Sequence, residues 1–125
     1  MPNRVLIVDD HAVVRMGVRI MLGENPKWEV CGEAESGERA LREIVELAPD
    51  IVILDISLPL MNGFEVAKEI RRIAPCTKIV FFSIHEVSAT ARQIGGDGFV
   101  LKSAGVETLE ATLESVLQRR SAPRA

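Results

Sequence analysis

Apolar residues along the chain follow two alternating patterns. Val5-Leu6-Ile7-Val8, Ile51-Val52-Ile53-Leu54 and Ile79-Val80-Phe81-Phe82 are uninterrupted blocks rich in β-branched and aromatic residues. Such blocks predict strands buried on both faces, as the centre of a parallel sheet requires. Residues 28–31 and 98–101 are two further strand candidates. Between the blocks, apolar residues recur at helical spacing. Val14, Val18 and Met21-Leu22 mark one helix; Ala40-Leu41, Ile44 and Leu47-Ala48 mark a second, behind a candidate N-cap at Ser36. Phe64, Ala67 and Ile70 mark a third, and Val106, Leu109, Leu113 and Val116-Leu117 mark the last. Strand then helix, repeated about five times, predicts an α/β fold: a doubly wound parallel sheet with helices on both faces. Such sheets bind ligands outside the carboxyl ends of their strands, at the switch point.

The residues that follow the strand blocks are polar. Asp9 and Asp10 follow the first, Asp55 the third, Ser83 the fourth and Lys102 the fifth. Three carboxylates brought together disfavour one another's ionisation. A hard divalent cation with oxygen ligands relieves the repulsion, and one held with open positions implies a phosphoryl ligand. The Ser83 hydroxyl and the Lys102 ammonium suit the oxygens of such a group. Asp55 is then the candidate nucleophile for an aspartyl-phosphate. Taken singly, each residue has a plainer reading. Asp9-Asp10 would cap the next helix, Asp55 would open a turn toward Pro59 and Asn62-Gly63, Ser83 would be a turn serine, and Lys102 a solvated charge. Their recurrence after different strands favours one shared site.

Composition narrows the class. The 125 residues are 47% hydrophobic and 26% charged, which suits one globular domain with its own core. A net charge of −3, a pI near 5.4, 4% aromatic residues and no Tyr argue against direct nucleic-acid binding by this chain. Cys31 and Cys76 fit no C-x-x-C spacing and are expected to be free, buried thiols, with a disulfide as the alternative. No signal-peptide pattern and no apolar run of about 20 residues is present, so a cytoplasmic protein without membrane contact is expected. Residues 1–118 are expected to form the domain; residues 119–125, with Arg119, Arg120, Ser121, Pro123 and Arg124, read as a tail or the start of a linker.

Ile7-Val8-Asp9-Asp10-His11, the segment from Asp55 through Ser57, Pro59 and Asn62 to Gly63, and then Ser83 and Lys102 resemble the receiver domain of bacterial two-component response regulators. The resemblance covers residues 4 to about 118. Ser83-Ile84-His85-Glu86 and Lys102-Ser103-Ala104 resemble the NarL/FixJ-like (LuxR-type) branch, whose members usually carry a C-terminal helix-turn-helix. The resemblance implies a flavodoxin-like five-stranded sheet of order 2-1-3-4-5. It implies that Asp55 accepts a phosphoryl group from a sensor histidine kinase, a phosphotransfer protein or a small phosphodonor. Asp10, Asp55 and the backbone carbonyl of Ser57 would ligate Mg2+ (or Mn2+), with Asp9 acting mostly through water. Lys102 and Ser83 would bind phosphoryl oxygens. Ser83 and Phe99 would form the output switch, although an edge-of-core aromatic is the other reading of Phe99. Ser57 and His85 would modulate dephosphorylation, although His85 also reads as a polar loop residue. The chain would be a signalling phospho-acceptor that catalyses only its own phosphorylation and dephosphorylation. Partners implied are the kinase and a phosphorylation-linked homodimer, for which the first and fifth helices are one candidate interface. The output would be transcription regulation through a C-terminal DNA-binding domain, or protein–protein interaction by a stand-alone or output-deficient receiver.

Two departures from the family pattern stand out. Only Val87 to Ile94 separate the Ser83–Glu86 segment from Gly95-Gly96-Asp97-Gly98, about one helical turn less than usual, so the fourth helix is expected to be short or irregular. Ser103 stands where many receivers have proline after the lysine. Two competing classes fit less well. A haloacid-dehalogenase-type phosphatase would carry an acid at Ser57, and a flavin module would not carry Asp9-Asp10-His11 where it needs a phosphate loop.

Overall fold

The computed structural model describes residues 1–119. Strands and helices alternate as β1 (Asn3–Val8), α1 (Ala12–Gly23), β2 (Trp28–Ala34), α2 (Gly37–Leu47), β3 (Ile51–Leu54), α3 (Gly63–Ile73), β4 (Lys78–Ser83), α4 (Ser88–Gln93), β5 (Gly98–Leu101) and α5 (Val106–Gln118). A single 3-10 turn over Lys102–Ala104 joins β5 to α5. All five strands are parallel, in the order β2-β1-β3-β4-β5. The doubly wound α/β expectation and its strand order therefore hold.

Period-two alternation of side chains divides the core into two layers. Val5, Ile7, Ile51, Ile53, Val80, Phe82 and Val100 pack with Val18 and Leu22 of α1 and with Leu109, Leu113 and Val116 of α5. Leu6, Val8, Val52, Leu54, Ile79 and Phe81 pack with Ala40 and Ile44 of α2, Val66, Ala67 and Ile70 of α3, and Ala91 of α4. Each fully buried Leu, Ile or Phe contributes about 1.5–3 kcal/mol, which is why apolar blocks with no polar interruption become the central strands.

Local signals set the helix ends. The Ser36 side chain accepts from the Arg39 N–H at 3.2 Å, so the expected cap of α2 is present. Asn62 and Glu65 form a reciprocal capping box at the start of α3. The α4 helix has six residues, in line with the shortened segment. It stops at Gly95, whose φ of +98° few other residues tolerate, and at Gly96, where a Cβ would lie 2.7 Å from the Phe81 ring. Arg71 of α3 holds this stop: its guanidinium donates to the Gly95 carbonyl at 2.7 and 2.9 Å and to the Thr77 carbonyl at 2.7 Å, and pairs with Asp97.

Two expectations change. Strand β2 runs to Ala34 rather than to residue 31, because an edge strand need not bury both faces and its Cys31-Gly32-Glu33 stretch is only half-buried. Its register against β1 shifts between Val5 and Leu6. Both cysteines are free, but neither is buried as expected: Cys31 is half-buried on the edge strand, and Cys76 is exposed in the α3–β4 connection, outside both core layers. The tail expectation falls mainly on residues 120–125, outside the described residues; the Arg119 guanidinium donates to the Asp97 carbonyl at 2.8 Å.

Candidate functional site

Because β2 and β3 flank β1 on opposite sides, the chain reverses its winding direction between β1 and β3, and the crevice opens at their carboxyl ends. Asp9 follows β1, and its N–H donates to the Ala34 carbonyl at 3.0 Å. Asp55 follows β3, and its N–H donates to the Val8 carbonyl at 2.9 Å. These two backbone bonds fix both carboxylates to the sheet. Each of these residues is only 2% exposed, whereas Asp10 lies open to solvent.

Lys102 reaches the pair from the end of β5. Its Nζ lies 2.7 Å from Asp9 Oδ2 and 3.6 Å from Asp55 Oδ2, with the side chain 13% exposed. It also lies 6.0 Å from the centroid of the Phe82 ring. The surface-charge reading of Lys102 is thus set aside. The capping reading of Asp9-Asp10 also fails. His11 is the N-cap of α1 and no side chain caps that helix, while Asp9 Oδ1 accepts from the His11 N–H at 2.9 Å.

The segment from Asp55 to Gly63 is shaped for proximity. A Cβ at Gly63 would lie 2.3 Å from the Asp55 carbonyl oxygen, so only glycine lets the start of α3 close against the strand end. The Gly63 N–H donates to the Ile56 carbonyl at 2.8 Å, and Ser57 N–H approaches Asp55 Oδ1 at 3.4 Å. At the exposed tip Leu60 has φ +67°, a left-handed conformation that costs a leucine about 1–2 kcal/mol.

Ser83 ends β4, fully buried, and its Oγ accepts from the His85 N–H at 3.1 Å. Phe99 pairs in register with Phe81, and Leu101 with Ser83, which puts Ser83 and Phe99 on the same face of the sheet. Phe99 is half-buried against the layer that faces α2, α3 and α4. His85 is exposed. Among the described residues no peptide bond is cis, so the Lys102–Ser103 bond is trans.

Electrostatically the site is short of positive charge. Burial pushes the Asp55 carboxyl above the usual range and the Asp9 charge adds to it, while Lys102 and the N–H groups of Ser57 and Ile56 pull the other way. Among the described residues, Asp55 Oδ2 is the one buried side-chain N or O atom with no hydrogen-bond partner. Ligand atoms of Asp9, Asp10, His11 and Asp55 all lie within 4.8 Å of one another. A buried carboxylate oxygen without a hydrogen bond, beside two more carboxylates, fits a hard divalent cation such as Mg2+.

Two participants escaped the sequence reading. Arg15 donates to the Asp9 carbonyl at 2.6 Å and to Glu33 Oε1 at 3.1 Å, tying the β1 end to β2. Its position four residues after His11, on the first turn of α1, is the signal that was available. His11 places Nδ1 3.0 Å from Asp9 Oδ1 and 3.1 Å from Asp10 Oδ1.

Comparison with known proteins agrees with the fold. Residues 5–114 match the family described as Response regulator receiver domain. The Transcriptional regulatory protein YdfI of Bacillus subtilis is 36% identical over 118 residues, covering 93% of this chain and 55% of that protein. The Nitrate/nitrite response regulator protein NarL of Escherichia coli is 37% identical over 111 residues, covering 86% of this chain and 51% of that protein. The chain thus spans about half the length of these curated relatives. A solved two-component response regulator of the LuxR family from Aurantimonas sp. superposes with a TM-score of 0.89 at 34% identity, covering 96% of this chain and 88% of that one.

Proposed function

The chain belongs to the response regulator receiver domain family, and from that premise we propose that Asp55 is its phospho-acceptor. The observation that carries the reading is the buried Asp55 Oδ2, without a hydrogen-bond partner beside Asp9 and 3.6 Å from the Lys102 ammonium. A carboxylate oxygen of Asp55 attacks phosphorus, the bond from phosphorus to the donor breaks, and an aspartyl-phosphate forms. The donor is the phosphohistidine of a sensor histidine kinase or phosphotransfer protein, or a small acyl phosphate.

Asp10, Asp55 and the Ser57 carbonyl would hold Mg2+ (or Mn2+), with Asp9 acting mostly through water. The cation supplies charge neutralisation for the transferring phosphoryl group. This chain's own residues do the rest. The backbone bonds at Asp9 and Asp55 keep the acceptor rigid, and Lys102 offers its ammonium to phosphoryl oxygens. Ser83, whose Oγ accepts from the His85 N–H, donates its hydroxyl proton to a phosphoryl oxygen. That new bond draws Ser83 inward, and Phe99, on the same sheet face, follows it; this is the switch. Ser57, two residues beyond Asp55, and His85, two residues beyond Ser83, modulate hydrolysis of the acyl phosphate. Residues 1–118 constitute the switching domain. A phosphorylation-linked homodimer and transcription regulation through a separate DNA-binding domain form the output, by analogy with YdfI and NarL.

Incubation with acetyl phosphate and Mg2+, followed by intact-mass measurement, tests the assignment. One added phosphoryl group is expected, and Asp55→Asn or EDTA should remove it. Labelling that persists in Asp55→Asn overturns the assignment of the acceptor.

A further inference from the structure

We propose that His11 is a ligand of the cation pocket, and that its imidazole lets the pocket take borderline divalent cations of the cobalt–nickel–zinc class through a donor that Mg2+ does not use. The inference rests on the reading of Asp9, Asp10 and Asp55 as a cation site and extends that site's ligand set. His11 has no other evident task. It occupies the N-cap position of α1 in an extended conformation, and its side chain caps nothing. Its ring is 61% exposed, so no core packing fixes it, yet Nδ1 stands 3.0 Å from Asp9 Oδ1 and 3.1 Å from Asp10 Oδ1. The His11 N–H is bound by the same Asp9 Oδ1 at 2.9 Å, so backbone and ring are both registered on the carboxylate.

The pocket has an independent mark of a missing ligand. Asp55 is 2% exposed and its Oδ2 has no hydrogen-bond partner, while ligand atoms of Asp9, Asp10, His11 and Asp55 fall within 4.8 Å of one another. Nδ1 is the ring atom that stands beside both carboxylates, and it is the donor the ring would offer to a cation bound there. An imidazole nitrogen favours cobalt, nickel and zinc, whereas magnesium prefers carboxylate and water oxygens. One cluster therefore contains two overlapping ligand sets, all-oxygen for Mg2+ and mixed nitrogen–oxygen for the borderline ions.

The test titrates the untagged chain with Mg2+ and, separately, with Co2+, by calorimetry and by the visible Co2+ absorption, which changes when a nitrogen ligand is lost. Wild type is compared with His11→Ala and with His11→Gln, which keeps a polar side chain of similar reach. The sequence has 2 histidines, so His85 is the control for adventitious imidazole binding and is replaced in a parallel variant, His85→Gln. Both His11 variants should hold Mg2+ within about twofold of wild type, lose Co2+ affinity about tenfold or more and shift the absorption band, while His85→Gln changes neither. Unchanged Co2+ affinity in the His11 variants, or a parallel loss of Mg2+ and Co2+, overturns the proposal and leaves the acidic site intact. Wild type that binds neither ion overturns the underlying cation-site reading as well.

Discussion

In metal-free protein, Asp55→Asn should stabilise the fold. The carboxylate is 2% exposed, its Oδ2 accepts no hydrogen bond, and the one nearby ammonium sits closer to Asp9 (2.7 Å) than to Asp55 (3.6 Å). Leaving a buried acceptor unsatisfied costs about 1–3 kcal/mol, and asparagine removes the charge that makes it worst, so a gain of about 1–2 kcal/mol is expected. That corresponds to about 3–8 °C in Tm for a domain of this size. The sign with pH follows from the raised Asp55 carboxyl. Between the ordinary value near 3.9 and the raised one, the folded state binds more protons than the unfolded state, so wild-type stability falls as pH rises. The gap between wild type and variant should therefore be widest at neutral pH and close as pH drops toward about 4. Magnesium should invert the order: at one hundred times its Kd it adds about 2.7 kcal/mol to wild type and little to a variant lacking one of its ligands. Urea unfolding in EDTA and in Mg2+, at pH 7.5 and at lower pH, reads all three effects. A variant less stable than wild type in EDTA at pH 7.5 would refute the claim that the buried Asp55 charge is only partly compensated.

Other perturbations have equally definite outcomes. Lys102→Met removes the cation from a nearly buried pair and should cost about 3 kcal/mol in EDTA, with Mg2+ restoring part of the loss in the same urea titration. Gly63→Ala drives a Cβ to 2.3 Å from the Asp55 carbonyl oxygen, so a loss of about 2–3 kcal/mol should accompany slower labelling by acetyl phosphate. Asn62→Ala breaks the α3 capping box and should cost about 1 kcal/mol by thermal melting, without blocking phosphorylation. Leu60→Gly relieves the left-handed strain at φ +67° and should be neutral or stabilising by up to about 1 kcal/mol, against the usual cost of adding glycine.

What could be read from the sequence divides along physical lines. Strands β1, β3 and β4 were legible because residues buried on both faces must be apolar without interruption, as in the fully buried Ile51–Leu54. The second half of β2 was not, because its half-buried edge position accepts Cys31, Gly32 and Glu33. Asp9, Asp55, Ser83 and Lys102 were recognisable by one topological rule, since the carboxyl ends of parallel strands point to one crevice. Arg15 and Arg71 were not, since most of their partners are backbone carbonyls that any sequence supplies. The pairing of His11 with both carboxylates was hidden for another reason. It depends on the cap geometry of α1, and the sequence does not distinguish a capping aspartate from a histidine at that place.

The Arg71 clamp also bears on how the domain comes apart. Arg71 ties α3 to Gly95 and Asp97, and the Asp97 carboxylate accepts from the Ile79 N–H at 2.8 Å while its own N–H donates to the Ile79 carbonyl at 2.7 Å. The six-residue α4 is thus pinned at its downstream end to α3 and β4, while Ile84, His85 and Glu86 before it are exposed. The expected consequence in hydrogen exchange is that the amides of α4 and its leading loop exchange ahead of those of β5. Lys102, carried at the end of β5, should then keep its contacts with Asp9 and Asp55 while α4 exchanges.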